Sequence, residues 1–283
     1  MKLGAELVII GGGPAGCAAA VMAASVGINC TIIEPRDRLG GALWHIAATD
    51  NVLGGHRTGP SLATAVLADV ARAAPQVVRG KATSVEARDR SVSVTLANGE
   101  RVTGQHVVVA TGVKPVQPHD APWITTTAPL TLPPLTDADP TDAVGQTWLV
   151  LGADRPLGTF LRANPDLDVA LLVPHPSSDV YKTEEIARDP RVTLIPVDVL
   201  TLDAEGIAQP GDLCGDQTFT NIGVTPIALD GIVRDPDGYC PVAGQHSRVH
   251  IAGDLRSACG QRVQTAMGSG AEAALDAYYA MRR

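Results

Sequence analysis

Gly11-Gly12-Gly13-Pro14-Ala15-Gly16 satisfies the spacing G-x-G-x-x-G at Gly11, Gly13 and Gly16. The chemistry served by this spacing is pyrophosphate binding. Gly11 permits a tight turn, Gly13 lets the backbone approach the phosphates, and Gly16 lets a helix pack on a strand. A helix starting there offers unpaired N–H groups and a positive dipole end. Glu34 follows about 20 residues on, where an acidic side chain accepts hydrogen bonds from a ribose. The combination specifies an adenine dinucleotide, FAD or NAD.

The elements that must position these residues are visible around them. Leu7-Val8-Ile9-Ile10 is an apolar run of the kind that forms a buried parallel strand. Helix-forming residues Ala18 to Val26 follow the glycines, and Thr31-Ile32-Ile33 reads as a second strand ending on Glu34. Further on, Val107-Val108-Val109 is a strand that ends in Ala110-Thr111-Gly112. His250-Ile251-Ala252-Gly253-Asp254 is another, followed by a helix-forming stretch from Gln264 to Met281. Ser91 to Val102 alternates around Asn98-Gly99, a hairpin signal.

A length of 283 residues suits two domains. Aromatics are only 3% and the net charge is -8, which argues against nucleic acid or an anionic membrane as partner. No run of about 18 apolar residues occurs. The three glycines and the proline interrupt what would otherwise read as a secretory leader after Lys2, so the cytoplasm is the expected location. Cys17, Cys30, Cys214, Cys240 and Cys259 are scattered and contain no C-x-x-C pair, indicating neither a disulfide framework nor a metal site.

Taken together, the glycine loop, Glu34, Gly40-Gly41, Asp50-Asn51-Val52-Leu53-Gly54-Gly55, Ala110-Thr111-Gly112, Gly253-Asp254 and Gln261 to Gly270 resemble the low-molecular-weight thioredoxin reductases, flavoproteins with two dinucleotide-binding domains. The resemblance covers roughly residues 1–115 and 244–283. It implies an α/β fold: a discontinuous FAD-binding Rossmann-like domain (1–115 and 244–283) with an inserted smaller NADPH-type α/β domain (116–243). It also implies a homodimer. On this resemblance, Gly13, Pro14 and Ala15 lie against the FAD pyrophosphate and Glu34 holds the adenosine ribose. Gly41 and Leu43 begin the loop under the isoalloxazine, Asn51 reaches the ring, and Ala82 flanks the adenine. Asp254 binds the ribityl chain. Gln261, Arg262 and Val263 present a helix start to the flavin carbonyl, where negative charge accumulates on reduction. The family reads Arg-Gln where this chain has Gln261-Arg262.

Two parts of that family's chemistry are missing. Where the redox dithiol should sit, the chain reads Trp123-Ile124-Thr125-Thr126-Thr127-Ala128-Pro129-Leu130. The second glycine loop reads Gly152-Ala153-Asp154-Arg155-Pro156-Leu157-Gly158, with an acid where backbone must approach a pyrophosphate. A like charge about 4 Å from a phosphate costs ~1 kcal/mol in water and ~4 kcal/mol at an effective dielectric of 20. At about 1.4 kcal/mol per decade, affinity falls roughly tenfold to a thousandfold. Asn164-Pro165 cuts the following helix short, and Pro174-His175-Pro176-Ser177-Ser178 carries no arginine pair for a 2′-phosphate.

The loop positions implied by the resemblance make Trp44, His45 and Cys259 the catalytic candidates. Trp44 would stack on or wall the ring, and the His45 imidazole would move protons beside it. Cys259 precedes a helix start, a placement that suits a redox or covalent role; ordinary packing is the competing reading for each. The functional expectation is an FAD-dependent oxidase or dehydrogenase. A small substrate, thiol-bearing or carrier-bound, would reduce the flavin directly, and oxygen or a protein acceptor would reoxidise it. The alternatives are an NAD(P)H-dependent reductase serving an external disulfide, quinone or ferredoxin, and a non-catalytic FAD-holding interaction protein.

Overall fold

Strand β1 (Gly4–Ile10) ends in the apolar run Leu7 to Ile10, which does not alternate because both faces there are covered. Leu7 and Ile9 enter one core and Val8 and Ile10 another, and all four are buried. The structure is a computed structural model that describes residues 4–204 and 206–283; Lys2 lies outside the described residues.

After β1 come α1 (Pro14–Ser25), β2 (Cys30–Glu34), α2 (Gly59–Ala73) and β3 (Gln76–Arg79). The chain continues through β4 (Ala82–Arg88), β5 (Ser91–Leu96), β6 (Arg101–Val109) and β7 (Val113–Pro115). The middle of the chain holds β8 (Ile124–Thr126), β9 (Gln146–Leu151), α3 (Pro156–Ala163), β10 (Val169–Pro176) and α4 (Val180–Thr183). It continues with β11 (Val192–Val197), β12 (Leu200–Leu202), β13 (Ala208–Gln209), β14 (Gln217–Thr220) and β15 (Val224–Pro226). Last come β16 (Val249–Ile251) and α5 (Val263–Ala280).

These elements pack as two units. The first contains the chain up to Val113 together with Pro226–Arg283, and the second is Lys114–Thr225. The first unit's sheet runs β3-β2-β1-β6-β5-β4, with β16 also on β6. Strands β3, β2, β1, β6 and β16 are parallel, and β4-β5-β6 form an antiparallel meander. Its hairpin turns at Asn98-Gly99, with Gly99 at φ +84°. Helices α1, α2 and α5 cover one face of the sheet. Leu229, Ile232, Cys240 and Leu255 cover the other. Those residues put the return to the first unit at Pro226 rather than at 244, the boundary expected from the sequence. The segment after Pro226 lacks periodicity, but its apolar side chains belong to the first unit's core.

In the second unit β11-β10-β9-β14 form a parallel sheet. Trp148 is fully buried there, its ring 4.8 Å from Phe219 and 5.6 Å from Phe160. The expected dithiol segment is instead strand β8, paired in register with β12 (Ile124 with Leu200, Thr126 with Leu202). Helix α3 ends at Ala163, before Asn164-Pro165, as the proline requires. No helix among the described residues is long and apolar enough to cross a membrane.

Candidate functional site

The carboxyl ends of β1, β2, β6 and β16 converge, which in an open parallel sheet is where ligands bind. Glu34 ends β2 with its side chain only 5% exposed. Its Oε2 accepts the Gly12 N–H at 2.6 Å and its Oε1 accepts the Arg36 N–H at 3.0 Å. The Gly12 carbonyl in turn accepts from the Gly40 N–H at 2.7 Å and from the Cys17 thiol at 3.3 Å. Burial pushes the Cys17 pKa up to about 11, so it stays a protonated donor at neutral pH. Gly12 is thus held at both ends of its peptide by residues 17, 34 and 40. A Cβ on Gly16 would stand 1.8 Å from the Gly11 carbonyl oxygen, so only glycine lets α1 begin this close to β1.

The other expected positions are tied to the same edge. Ala110 donates its N–H to Ile10 and Ala252 to Val109. The Thr111 hydroxyl donates to the Ile227 carbonyl at 2.6 Å, and the Ile227 N–H returns a bond to Gly112. Gly253 donates its N–H to Ser269 Oγ of α5 at 2.8 Å. Ala82 begins β4 and is buried, and the nearby Gly80 N–H bonds the Glu34 carbonyl. The Arg79 guanidinium donates to the carbonyls of Arg36 and Asp37, fixing the turn beyond Glu34.

The start of α1 fits a pyrophosphate. Gly13 is its N-cap, no side chain caps it, and Pro14 at the first position has no N–H to satisfy. A Cβ placed on Gly13 meets nothing within 4 Å, so this side of the loop is open. A carboxylate offers about four acceptor positions; Gly12 and Arg36 take two of Glu34's, leaving capacity for ribose hydroxyls.

The remaining candidates divide. Gly41 abuts Gly13, since its Cβ would lie 2.9 Å from Gly13 Cα. Leu43 is fully buried in the core under α1 and α2. Trp44 folds back on its own loop: Nε1–H donates to the Leu39 carbonyl at 2.7 Å, and Arg38 lies 4.1 Å over the ring. His45 is exposed at the end of the same turn. Asn51 is exposed on the 46–59 loop, whose base is closed by Gly59 N–H to Ile46 O and Thr49 N–H to Arg57 O. Leu53, on the same loop, is exposed as well. Gln261 Nε2 donates to Tyr239 Oη, Asp254 O and Ser257 O, so its side chain closes the loop after Asp254. Arg262 donates to the Gln261 carbonyl and is exposed, as is Cys259, while Val263 opens α5. The sequence reading missed the clamps made by Arg79, Thr111 and Tyr239, for which no local pattern exists.

Two backbone donors of the second unit's loop are already taken within the protein. The Asp154 N–H donates to Asn221 O at 3.2 Å and the Leu157 N–H to Asp154 O at 3.1 Å; Pro156 has no N–H. Asn221 Nδ2 donates back to Gly152 O at 3.1 Å and Asp154 O at 2.9 Å. Nearby, Lys182 donates to Asp179 at 2.7 Å. Burial opposes the charge on Lys182, but the Asp179 hydrogen bond and the fields of Asp179 and Asp154 outweigh it and raise its pKa. The staple is testable: Asn221→Ala removes two hydrogen bonds at about 1 kcal/mol each. Thermal unfolding should show a loss of about 2 kcal/mol while flavin content stays unchanged.

Residues 5–147 match the family of pyridine nucleotide-disulphide oxidoreductases. A stretch of 109 residues, 38% of the chain, is 31% identical to the F component of alkyl hydroperoxide reductase from Staphylococcus aureus (strain NCTC 8325 / PS 47). Over 113 residues it is 34% identical to the same component from Pseudomonas putida. In both cases the match spans 21% of the relative's length, about a fifth. Thioredoxin reductase from Lactococcus lactis has the same fold at a TM-score of 0.77 and 19% identity, covering 97% of this chain and 98% of that one. The T. acidophilum thioredoxin reductase superposes with a TM-score of 0.77 at 18% identity over 100% of both chains. The chain belongs to the pyridine nucleotide-disulphide oxidoreductase family.

Proposed function

We propose that this protein is an oxidase or dehydrogenase in which a small substrate reduces the flavin directly, without a nicotinamide and without a dithiol. The observation that carries this reading is the second unit's loop. Its N–H donors at Asp154 and Leu157 already have partners, Pro156 offers none, and Asp154 adds a negative charge. The dithiol position is taken by Thr125, Thr126 and Thr127 of and beside β8. The cytoplasmic location and the homodimer belong to the same proposal.

FAD, when bound, would supply a two-electron acceptor for the substrate's hydride, with oxygen or a protein acceptor as the final oxidant. The chain's own residues do the holding. Gly13 and Ala15 receive the pyrophosphate at the α1 start, and Glu34 takes the ribose hydroxyls. Pro14, Gly11 and Gly16 shape that loop, and Gly41 seats the next turn against it. Ala110, Thr111, Gly112 and Gly253 hold the strand ends, and Asp254 takes the ribityl chain. Gln261, Arg262 and Val263 set the start of α5 toward the ring, where a helix N-terminus stabilises negative charge. Asn51 reaches the ring from the 46–59 loop, and Ala82 flanks the adenine. His45 is the proposed proton acceptor; Trp44 and Cys259 complete the set beside the substrate.

Anaerobic addition of NADPH, and then of NADH, should leave the flavin absorbance near 450 nm unbleached (about the band of oxidised flavin in general). Prompt bleaching by either would replace this reading with a second one, a reductase passing nicotinamide electrons to an external acceptor. One feature favours that rival: Gly152 keeps its left-handed backbone, φ +93°, at the turn from β9 into the loop.

A further inference from the structure

The first unit contains a pair of histidines, His106 buried and His250 half-buried, to which the proposed function gives no role. His106 on β6 is 2% exposed, and its Nδ1 lies 3.1 Å from His250 Nε2 on the neighbouring strand β16. On its other side, His106 Nε2 lies 3.2 Å from Arg248 Nη1. Arg248 also donates to the carbonyls of Asp89 and Gln105, which fixes its position.

This chain of contacts has one consistent hydrogen assignment. A guanidinium only donates, so His106 Nε2 must accept. His106 then carries its hydrogen on Nδ1 and donates to His250 Nε2, which must accept in turn. A proton added to either ring removes an acceptor and sets two N–H donors against each other. The network therefore holds only while both rings are neutral.

Its position couples it to the flavin side of the unit. His250 pairs with Val108 and lies three residues before Gly253, on the strand that leads into Gly253-Asp254. His250 also lines a cavity of about 240 Å³ with His246, Arg256 and, from α5, Asp276. We propose that the Arg248–His106–His250 chain is an acid-sensitive latch that holds β16 and α5 in place, so that protonating the pair releases FAD.

The surrounding charges favour this outcome on balance. His106 faces Arg248, His246 and His250; His250 shares its cavity with Arg256 and His246, and Asp276 is the one carboxylate among the described lining residues. Arg256 is itself paired with Glu272 of α5 at 2.8 Å. Burial first, then the fields of His250, Arg248 and His246, lower the His106 pKa to about 4, and burial lowers that of His250 to about 4. Unfolded histidine titrates near 6.5. A base whose folded pKa is depressed stabilises the fold above its unfolded pKa, and that contribution is lost as the pH falls from about 6.5 toward 4.

The latch rests on the flavin-site reading, and two measurements on the holoprotein separate them. In ¹⁵N NMR the two imidazoles should remain neutral down to about pH 5; titration of both near the ordinary value of about 6.5 overturns the latch. For the coupling, FAD fluorescence is followed as the pH is lowered. His250→Gln, whose amide oxygen accepts the same bond without titrating, should keep its flavin at neutral pH. It should release it at a pH lower by roughly half a unit or more, whereas His119→Gln, at an exposed position in the second unit, should follow the wild type. Coincident release curves for wild type and His250→Gln would sink the proposal. If His250→Gln does not fold, the NMR titration decides alone. Protein that takes up no FAD at neutral pH would instead count against the flavin site itself.

Discussion

Glu34→Gln should yield a protein that loses its yellow colour on desalting and melts well below the wild type. Both Glu34 oxygens accept backbone N–H groups, from Gly12 and from Arg36. Either orientation of a glutamine amide therefore turns its NH₂ against one of those donors. The loss of a charge-assisted bond costs about 1.5–3 kcal/mol, and the stranded buried donor adds about 1–3. A total near 3 kcal/mol corresponds to roughly a hundredfold weaker FAD binding if it all falls on the bound form. Differential scanning of the apoprotein and a flavin titration divide the effect between fold and ligand. Unchanged values in both would show that the Gly12 clamp does not hold the loop.

Gly270→Ala should have a comparable effect from the opposite wall. A Cβ there would lie 2.0 Å from the Ala15 carbonyl oxygen and 2.9 Å from Ala15 Cα, all of it backbone. The helices α5 and α1 must separate, and overpacking of this kind costs about 1–3 kcal/mol. For a chain of this size each kcal/mol lowers Tm by about 2–4 °C. Flavin affinity should fall as well, because Ala15 lies in the first turn of α1. Gly268→Ala is the control. It lies in the same helix, its Cβ meets nothing within 4 Å, and helix propensity alone should raise stability by up to about 1 kcal/mol. Equal melting points for the two variants would remove close approach as the explanation.

Local pattern accounts for what the sequence reveals here. Leu7 to Gly16 and Thr31 to Glu34 carry strand, turn, helix and acid within a few tens of residues, so both structure and chemistry are written in one stretch. Asp154 is legible for the same reason. The return at Pro226 is not, because Leu229, Ile232 and Cys240 are spaced without period among Gly231, Pro236 and Gly238. Nor are side-chain ties between distant segments. Thr111 meets Ile227, Gln261 meets Tyr239, and His106 meets His250 only because β6 and β16 lie side by side. Trp44 illustrates a different limit: its place in the loop is readable, but not that its indole N–H turns back to Leu39.

The interrupted first unit has a consequence for synthesis. Strands β1 to β6 leave the ribosome before residues 114–225 are made, and β16 and α5 only after them. At roughly 5–20 residues per second, that interval is on the order of ten seconds. Through it the α1 and β6 surfaces that α5 will cover stay open, while the second unit can already fold. Flavin loading is therefore a late event in the life of each new chain. A nascent chain stalled before α5 would expose the apolar α1 face to chaperones and to other chains, where flavin supply has no means to rescue it.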